Sequence, residues 1–264
     1  MRNRTLLTGV LAAATTVLAF PFVSAAAPQD AAEPQDVKPL IVGGHDATEE
    51  YSWMASLQQQ GQHFCGGSLI KPDWVLTAAH CVDGQSPEQI NVRIGSNDHT
   101  SGGTEAAVSK ITVHPDYGSG NGTSDIAVIQ LSAPVQNAPV KLAAEAGQPE
   151  PSRIIGWGQT TPNQGDGSIP RMLQELDTKV VDAQQCSAGG IDGNTELCTA
   201  SDTPNANACF GDSGGPQIKG TQGNWELIGV TSRLGGTTPQ CAQDPSIYTN
   251  AVAYTDWINQ NTGA

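Results

Sequence analysis

The sequence predicts an all-β protein, and three observations carry that prediction. Short apolar runs recur along the chain, each broken by turn residues. Aromatics are only 5% of the 264 residues, while there are 30 glycines and 17 prolines, a balance that suits many short strands joined by tight turns. A helical period is confined to 251–261, where Val252, Tyr254-Thr255 and Trp257-Ile258 suggest one apolar face. The length is enough for one large β domain or two small ones.

Taken in order, the chain opens on an export signal at 1–25. Arg2 and Arg4 supply the positive start, 6–23 is mostly apolar, and Val23-Ser24-Ala25 offers small residues for cleavage. The apolar run is barely long enough for a membrane anchor, contains Pro21 and ends in small residues, and no other stretch could cross a membrane. Residues 26–40 are polar, proline-rich and aperiodic, as in a linker or short propeptide. Six runs then read as strands of a first barrel: 53–57, 66–70, 74–77, 90–94, 106–113 and 126–131. A Gly/Pro/Glu linker at 143–152 follows. The second half repeats the strand grammar at 153–156, 173–181, 196–198, 216–219, 225–231 and 246–249, and ends on the helix.

The formal net charge is −14. Arg2, Arg4 and Lys38 balance Asp30, Glu33 and Asp36, so the part from Ile41 onward carries the whole excess. Such a surface argues against nucleic acid as a partner and suits a soluble exported protein. Six cysteines in an exported chain suggest three disulfides, with fifteen pairings open. A Cys/His metal site is disfavoured: no Cys-x-x-Cys pair exists, and the one adjacent pair, His80-Cys81, has another explanation.

That explanation begins at Cys209-Phe210-Gly211-Asp212-Ser213-Gly214-Gly215-Pro216. A serine between glycines suits a presented nucleophile, and the Gly211 and Ser213 N–H groups could face a developing oxyanion. A serine hydroxyl needs a base, and the base needs an orienting group. All five histidines (His45, His63, His80, His99, His114) precede Ser213, which excludes the α/β-hydrolase order of serine, acid, histidine. Two upstream segments fit instead: Thr77-Ala78-Ala79-His80-Cys81, and Ser124-Asp125-Ile126-Ala127-Val128, an acid opening an apolar run. The resulting order is His80, Asp125, Ser213. His45 and His63 have no motif role, and His99 and His114 read as solvated loop residues. Asn121-Gly122-Thr123 is a formal glycosylation sequon of little weight here.

With these motifs, and with Ile41-Val42-Gly43-Gly44, Cys65-Gly66-Gly67-Ser68-Leu69-Ile70 and Gly156-Trp157-Gly158, the chain from Ile41 onward resembles the trypsin/chymotrypsin serine endopeptidases, and looks like a secreted, actinomycete-like bacterial member. The resemblance implies two packed six-stranded antiparallel barrels closed by a C-terminal helix, the first at about 41–145 and the second at about 150–250. It implies disulfides Cys65–Cys81, Cys186–Cys198 and Cys209–Cys241. It also implies activation by cleavage before Ile41, the freed α-amine pairing with Asp212. Leu40 is not basic, so a trypsin-like activator is not expected. Ser213 would attack the scissile carbonyl, His80 would act as base and then acid, and Asp125 would orient His80. Ser232 would bond the catalytic acid and substrate backbone. No metal or organic cofactor is required, the partners are protein or peptide substrates and a proteinaceous inhibitor, and a monomer is the default.

Primary specificity departs from the family pattern. Asn207, six residues before Ser213, is expected at the floor of the specificity pocket, where an uncharged amide disfavours Lys or Arg at P1. After Ser232 the family usually shows Trp then Gly, whereas this chain has Arg233-Leu234-Gly235-Gly236. Leu234 entering the pocket would admit only small side chains, and Gly235 in its place a large apolar one. Ser246 stands near the second pocket-wall glycine. Arg233 is expected either to face an acidic substrate group or to be solvated. The rival readings are a non-catalytic binding homologue and, less so, a carboxylester hydrolase.

Overall fold

A computed structural model describes residues 41–119, 123–167 and 169–263. The expected export signal, the propeptide with Leu40, and Asn121 lie outside these residues. No helix among the described residues is long and apolar enough to cross a membrane.

Fourteen strands form two sheets. They are β1 His45–Asp46, β2 Met54–Gln59, β3 Gln62–Lys71, β4 Trp74–Thr77, β5 Asn91–Ile94, β6 Thr104–Val113, β7 Ala127–Leu131, β8 Lys141–Leu142, β9 Glu150–Gly156, β10 Gln174–Val181, β11 Glu196–Ala200, β12 Pro216–Thr221, β13 Asn224–Leu234 and β14 Ser246–Asn250. One sheet closes in the order β2-β3-β4-β7-β6-β5. The other runs β9-β10-β11-β14-β13-β12 and closes through the β12–β9 pairing, with β1 added on β10 and β8 on β13. The protein therefore has two closed six-stranded antiparallel barrels, and closure leaves few free strand edges.

Leu57, Leu69, Leu76, Val92, Ile94, Val128 and Ile129 are fully buried on the strands of the first barrel, and Ile154, Leu176, Val180, Leu197, Ile228 and Tyr248 are buried in the second. The N-terminal segment crosses to the second barrel: Ile41 is fully buried there, Val42 bridges to Asn207, and His45 pairs with Glu175. Two α-helices are present among the described residues, a single turn α1 at Ala79–Val82 and α2 at Thr255–Thr262. Helix α2 starts four residues later than expected, because 251–254 form a turn. Residues 150–152, expected in the linker, are strand. The three disulfides are Cys65–Cys81, Cys186–Cys198 and Cys209–Cys241.

Candidate active site

Strand pairing brings His80 and Asp125 together. Thr77 at the end of β4 lies opposite Ala127 at the start of β7, so the turn after β4 and the residue before β7 emerge side by side. The Cys65–Cys81 bridge fastens that turn to β3. Asp125 then accepts twice from His80, from the backbone N–H on Oδ1 at 2.9 Å and from ring Nδ1 on Oδ2 at 2.7 Å. A carboxylate only accepts, so Nδ1 carries the proton and Nε2 is left as the basic nitrogen. The Asp125 side chain is 5% exposed and that of His80 33%, a buried orienting acid beneath an accessible base. Ser124 enters this turn at φ 58°, a left-handed conformation unfavourable for a non-glycine residue, and its hydroxyl accepts from Tyr254 at 3.0 Å.

The second barrel completes the site. Ser232 Oγ donates to Asp125 Oδ2 at 2.7 Å, and Thr249 Oγ1 donates to the Asp125 carbonyl at 2.9 Å. Ser213 lies on the loop between β11 and β12, stitched to β13 by Gly214 N–H to Thr231 O and Thr231 N–H to Gly215 O, both 2.9 Å. From the first barrel, Gly66 N–H reaches the Ser213 carbonyl at 2.8 Å. No hydrogen bond joins Ser213 Oγ to His80 among the described residues.

The amides of Gly211 and Ser213 donate to no other group among the described residues. Gly211 has φ 101°, which only glycine adopts readily. Its carbonyl is held away by His63 Nε2 at 3.0 Å. Asp212 is buried, accepting from Gly158 N–H at 2.7 Å and Cys209 N–H at 2.8 Å. Burial pushes its carboxyl up to about 6, the two N–H bonds opposing that rise. No cation pairs with it among the described residues.

Beside Ser213 opens a cavity of about 430 Å³ lined by Ala208, Phe210, Leu234, Ser246 and the Cys209–Cys241 bridge. Asn207 is not in that lining, contrary to expectation. It sits behind the wall, its Nδ2 on the Thr199 carbonyl at 3.1 Å and its Oδ1 on Ala208 N–H at 2.9 Å. Leu234 rather than Gly235 faces the cavity, since Gly235 is packed against Cys186 Sγ and the Pro245 carbonyl. Ser246 Oγ is buried there without a partner. Two other clefts, both bordered by Trp225, contain none of these residues.

Other expectations need correction. Arg233 borders this cavity and does not lie in solvent alone: Nη1 and Nη2 grip Glu196 Oε1 and Oε2 at 2.5 and 2.9 Å. His63 and His99 are buried, packed on each other and on Trp157. His114 is half-buried against Tyr254 and Trp257. Sequence reasoning missed His63, whose position shows no local signal. Cys65, His80 and Cys81 cluster, but both sulfurs are held in one disulfide and are not thiolate ligands.

Comparison with known proteins shows the family. The family described as Trypsin matches residues 41–258. Over 231 residues the chain is 34% identical to trypsin alpha of Drosophila melanogaster, covering 83% of this chain and 86% of the fly protein. Over 239 residues it is 34% identical to transmembrane protease serine 11C of Mus musculus, covering 84% of this chain but only 54% of the mouse protein, so it spans about half of that relative. Trypsin epsilon of Drosophila erecta is 31% identical over 231 residues. The chain belongs to the trypsin family of serine endopeptidases.

Proposed function

We propose that this protein is an exported endopeptidase that cleaves peptide bonds through His80, Asp125 and Ser213, with an acyl-enzyme on Ser213. His80 Nε2 takes the Ser213 proton as Oγ attacks the scissile carbonyl, then returns it to the leaving amine. Asp125 holds the imidazole and stabilises its charged form without taking the proton. The Gly211 and Ser213 amides receive the oxyanion. The observation that carries this reading is that pair of unengaged amides beside the nucleophile, next to a base already oriented by a buried acid. One such donor is worth about 3 kcal/mol in the transition state.

The apolar cavity favours an apolar P1 residue, and with Leu234 in its wall, small or medium aliphatic ones. Neither a carboxylate nor the Asn207 amide meets a cationic P1 group there, so cleavage after Lys or Arg is disfavoured. The chain is made as a zymogen with signal 1–25 and propeptide 26–40, and cleavage before Ile41 supplies the ammonium that Asp212 lacks. It works outside the cell as a monomer, open to proteinaceous inhibitors. The relatives described here are animal proteins and lend the bacterial attribution no support.

The test is a peptide library varied at P1, assayed with the chain beginning at Ile41 and with its Ser213→Ala and His80→Ala variants. Cleavage after Ala, Val or Leu, lost in both variants, is expected. Turnover no higher than in Ser213→Ala would remove the catalytic reading, and efficient cleavage after Arg would remove the pocket reading.

A further inference from the structure

The strand that carries both Ser232 and Leu234 is irregular. Thr231 pairs with Tyr248 and Arg233 with Ile247, so one extra residue, Ser232, is accommodated between them as a bulge. A bulge re-aims the side chains around it. Here it turns Ser232 Oγ onto Asp125, while Leu234 faces the cavity beside Ser213. A one-residue slip would exchange the faces of both residues, so something must set the register.

Arg233, between them, is fastened with unusual completeness. Its guanidinium holds both oxygens of Glu196, whose side chain is 0% exposed. Nη2 also reaches the Gly190 carbonyl at 3.2 Å, and Nε the Gly189 carbonyl at 3.4 Å. Glu196 in turn accepts Asp192 N–H at 2.8 Å. An Arg fork matches a carboxylate in one geometry only. A buried ion pair adds little net stability over apolar residues of similar volume, and fixing register is its best-attested use.

We propose that Arg233 and Glu196 are specificity-determining residues: their pairing sets the register of β13, and so holds Leu234 in the wall of the substrate pocket with Ser232 on the catalytic acid. This rests on the reading of Ser213 as nucleophile and of the cavity as the P1 site. Because the device acts through Leu234, its signature is a change in selectivity among apolar P1 residues rather than a uniform loss of rate.

The experiment replaces both partners, Arg233→Met with Glu196→Met, so that no buried charge is left unpaired. Melting temperature is measured alongside kcat and KM for peptides with P1 Ala, Val, Leu and Phe. In the parent, Val and Leu are expected to exceed Phe in kcat/KM by about tenfold or more, the scale on which a hydrophobic pocket discriminates. In the double variant the melting temperature holds and that preference falls to near unity, mainly through KM. An unchanged P1 profile would overturn the proposal, as would a variant that no longer folds, since the pair would then serve the fold as a whole. Labelling of Ser213 in the parent by a fluorophosphonate separates the two levels. An unlabelled parent removes the nucleophile reading, whereas a labelled parent with an unaltered profile in the double variant removes only the register role.

Discussion

A carbonyl oxygen can only accept a hydrogen bond, and that constraint orients His63. Its Nε2 must donate to the Gly211 carbonyl, so in the neutral ring Nδ1 accepts, and Ser56 Oγ lies 2.8 Å from it. Gln58 Nε2 then donates to Ser56 Oγ at 3.1 Å and to the His99 carbonyl at 2.6 Å. Burial favours the neutral ring and lowers its titration to about 4. Between the ordinary histidine value of about 6.5 and that of the fold, the unfolded chain binds a proton that the folded chain refuses. Stability is therefore lost as pH falls through this window, by roughly 3 kcal/mol. Glutamine can make both hydrogen bonds without titrating, so thermal unfolding of His63→Gln should show a shallower acid decline than the parent from pH 6.5 to 4. Parallel curves would show that His63 is not the titrating group. Nothing in the sequence singled out His63, because its partners lie 7 and 148 positions away. The pairing of His80 with Asp125 was legible because each sits in a short motif whose residue types fit one chemistry. Asn207 was not legible for the opposite reason: its position in the chain says nothing of its amide, which the backbone engages behind the cavity wall.

At the scale of elements, short apolar runs and turn residues located every strand of the two barrels, with ends off by up to a few residues. The two-residue strands β1 and β8 escaped, being too short to show a period. The turn α1 escaped for the same reason. Gly156-Trp157-Gly158 was recognised as a motif, but its reason is tertiary: a Cβ on Gly158 would lie 2.3 Å from Asp212 Oδ2. The Cys209–Cys241 bridge has a similar double role, closing a chain separation of 32 residues while forming part of the pocket wall. Loop-closure entropy for that length gives about 4 kcal/mol of stabilisation. Replacing both cysteines by serine should lower the melting temperature accordingly and raise KM for substrates that fill the pocket. A comparable KM rise for P1 Gly and P1 Leu peptides would show that the bridge supports the fold without shaping the wall.

For the whole molecule, the site exists only where the barrels meet. His80 and Asp125 come from one and Ser213 and Ser232 from the other, and contacts such as Gly66 to Ser213 and Thr249 to Asp125 join them. Asp212, the neighbour of Ser213 in its loop, has a buried carboxyl and no cation among the described residues, and Ile41 is fully buried in the second barrel. In the uncleaved chain the carboxyl is pushed up to about 6, so between the ordinary aspartate value of about 3.9 and 6 the fold holds a proton that the unfolded chain releases. Stability then falls as pH rises through that window, by roughly 3 kcal/mol. An ammonium freed at Ile41 would favour the charged carboxylate and remove that loss. The His63 contribution runs in the opposite direction but is common to both forms, so it cancels in their difference. In a Ser213→Ala background that prevents self-cleavage, the stability of the chain beginning at Ile41 should gain on that of the chain beginning at residue 26 as pH rises from 4 to 6. A difference independent of pH across that range would mean that the new N-terminus does not reach Asp212, and that activation, if cleavage causes it, works through another contact.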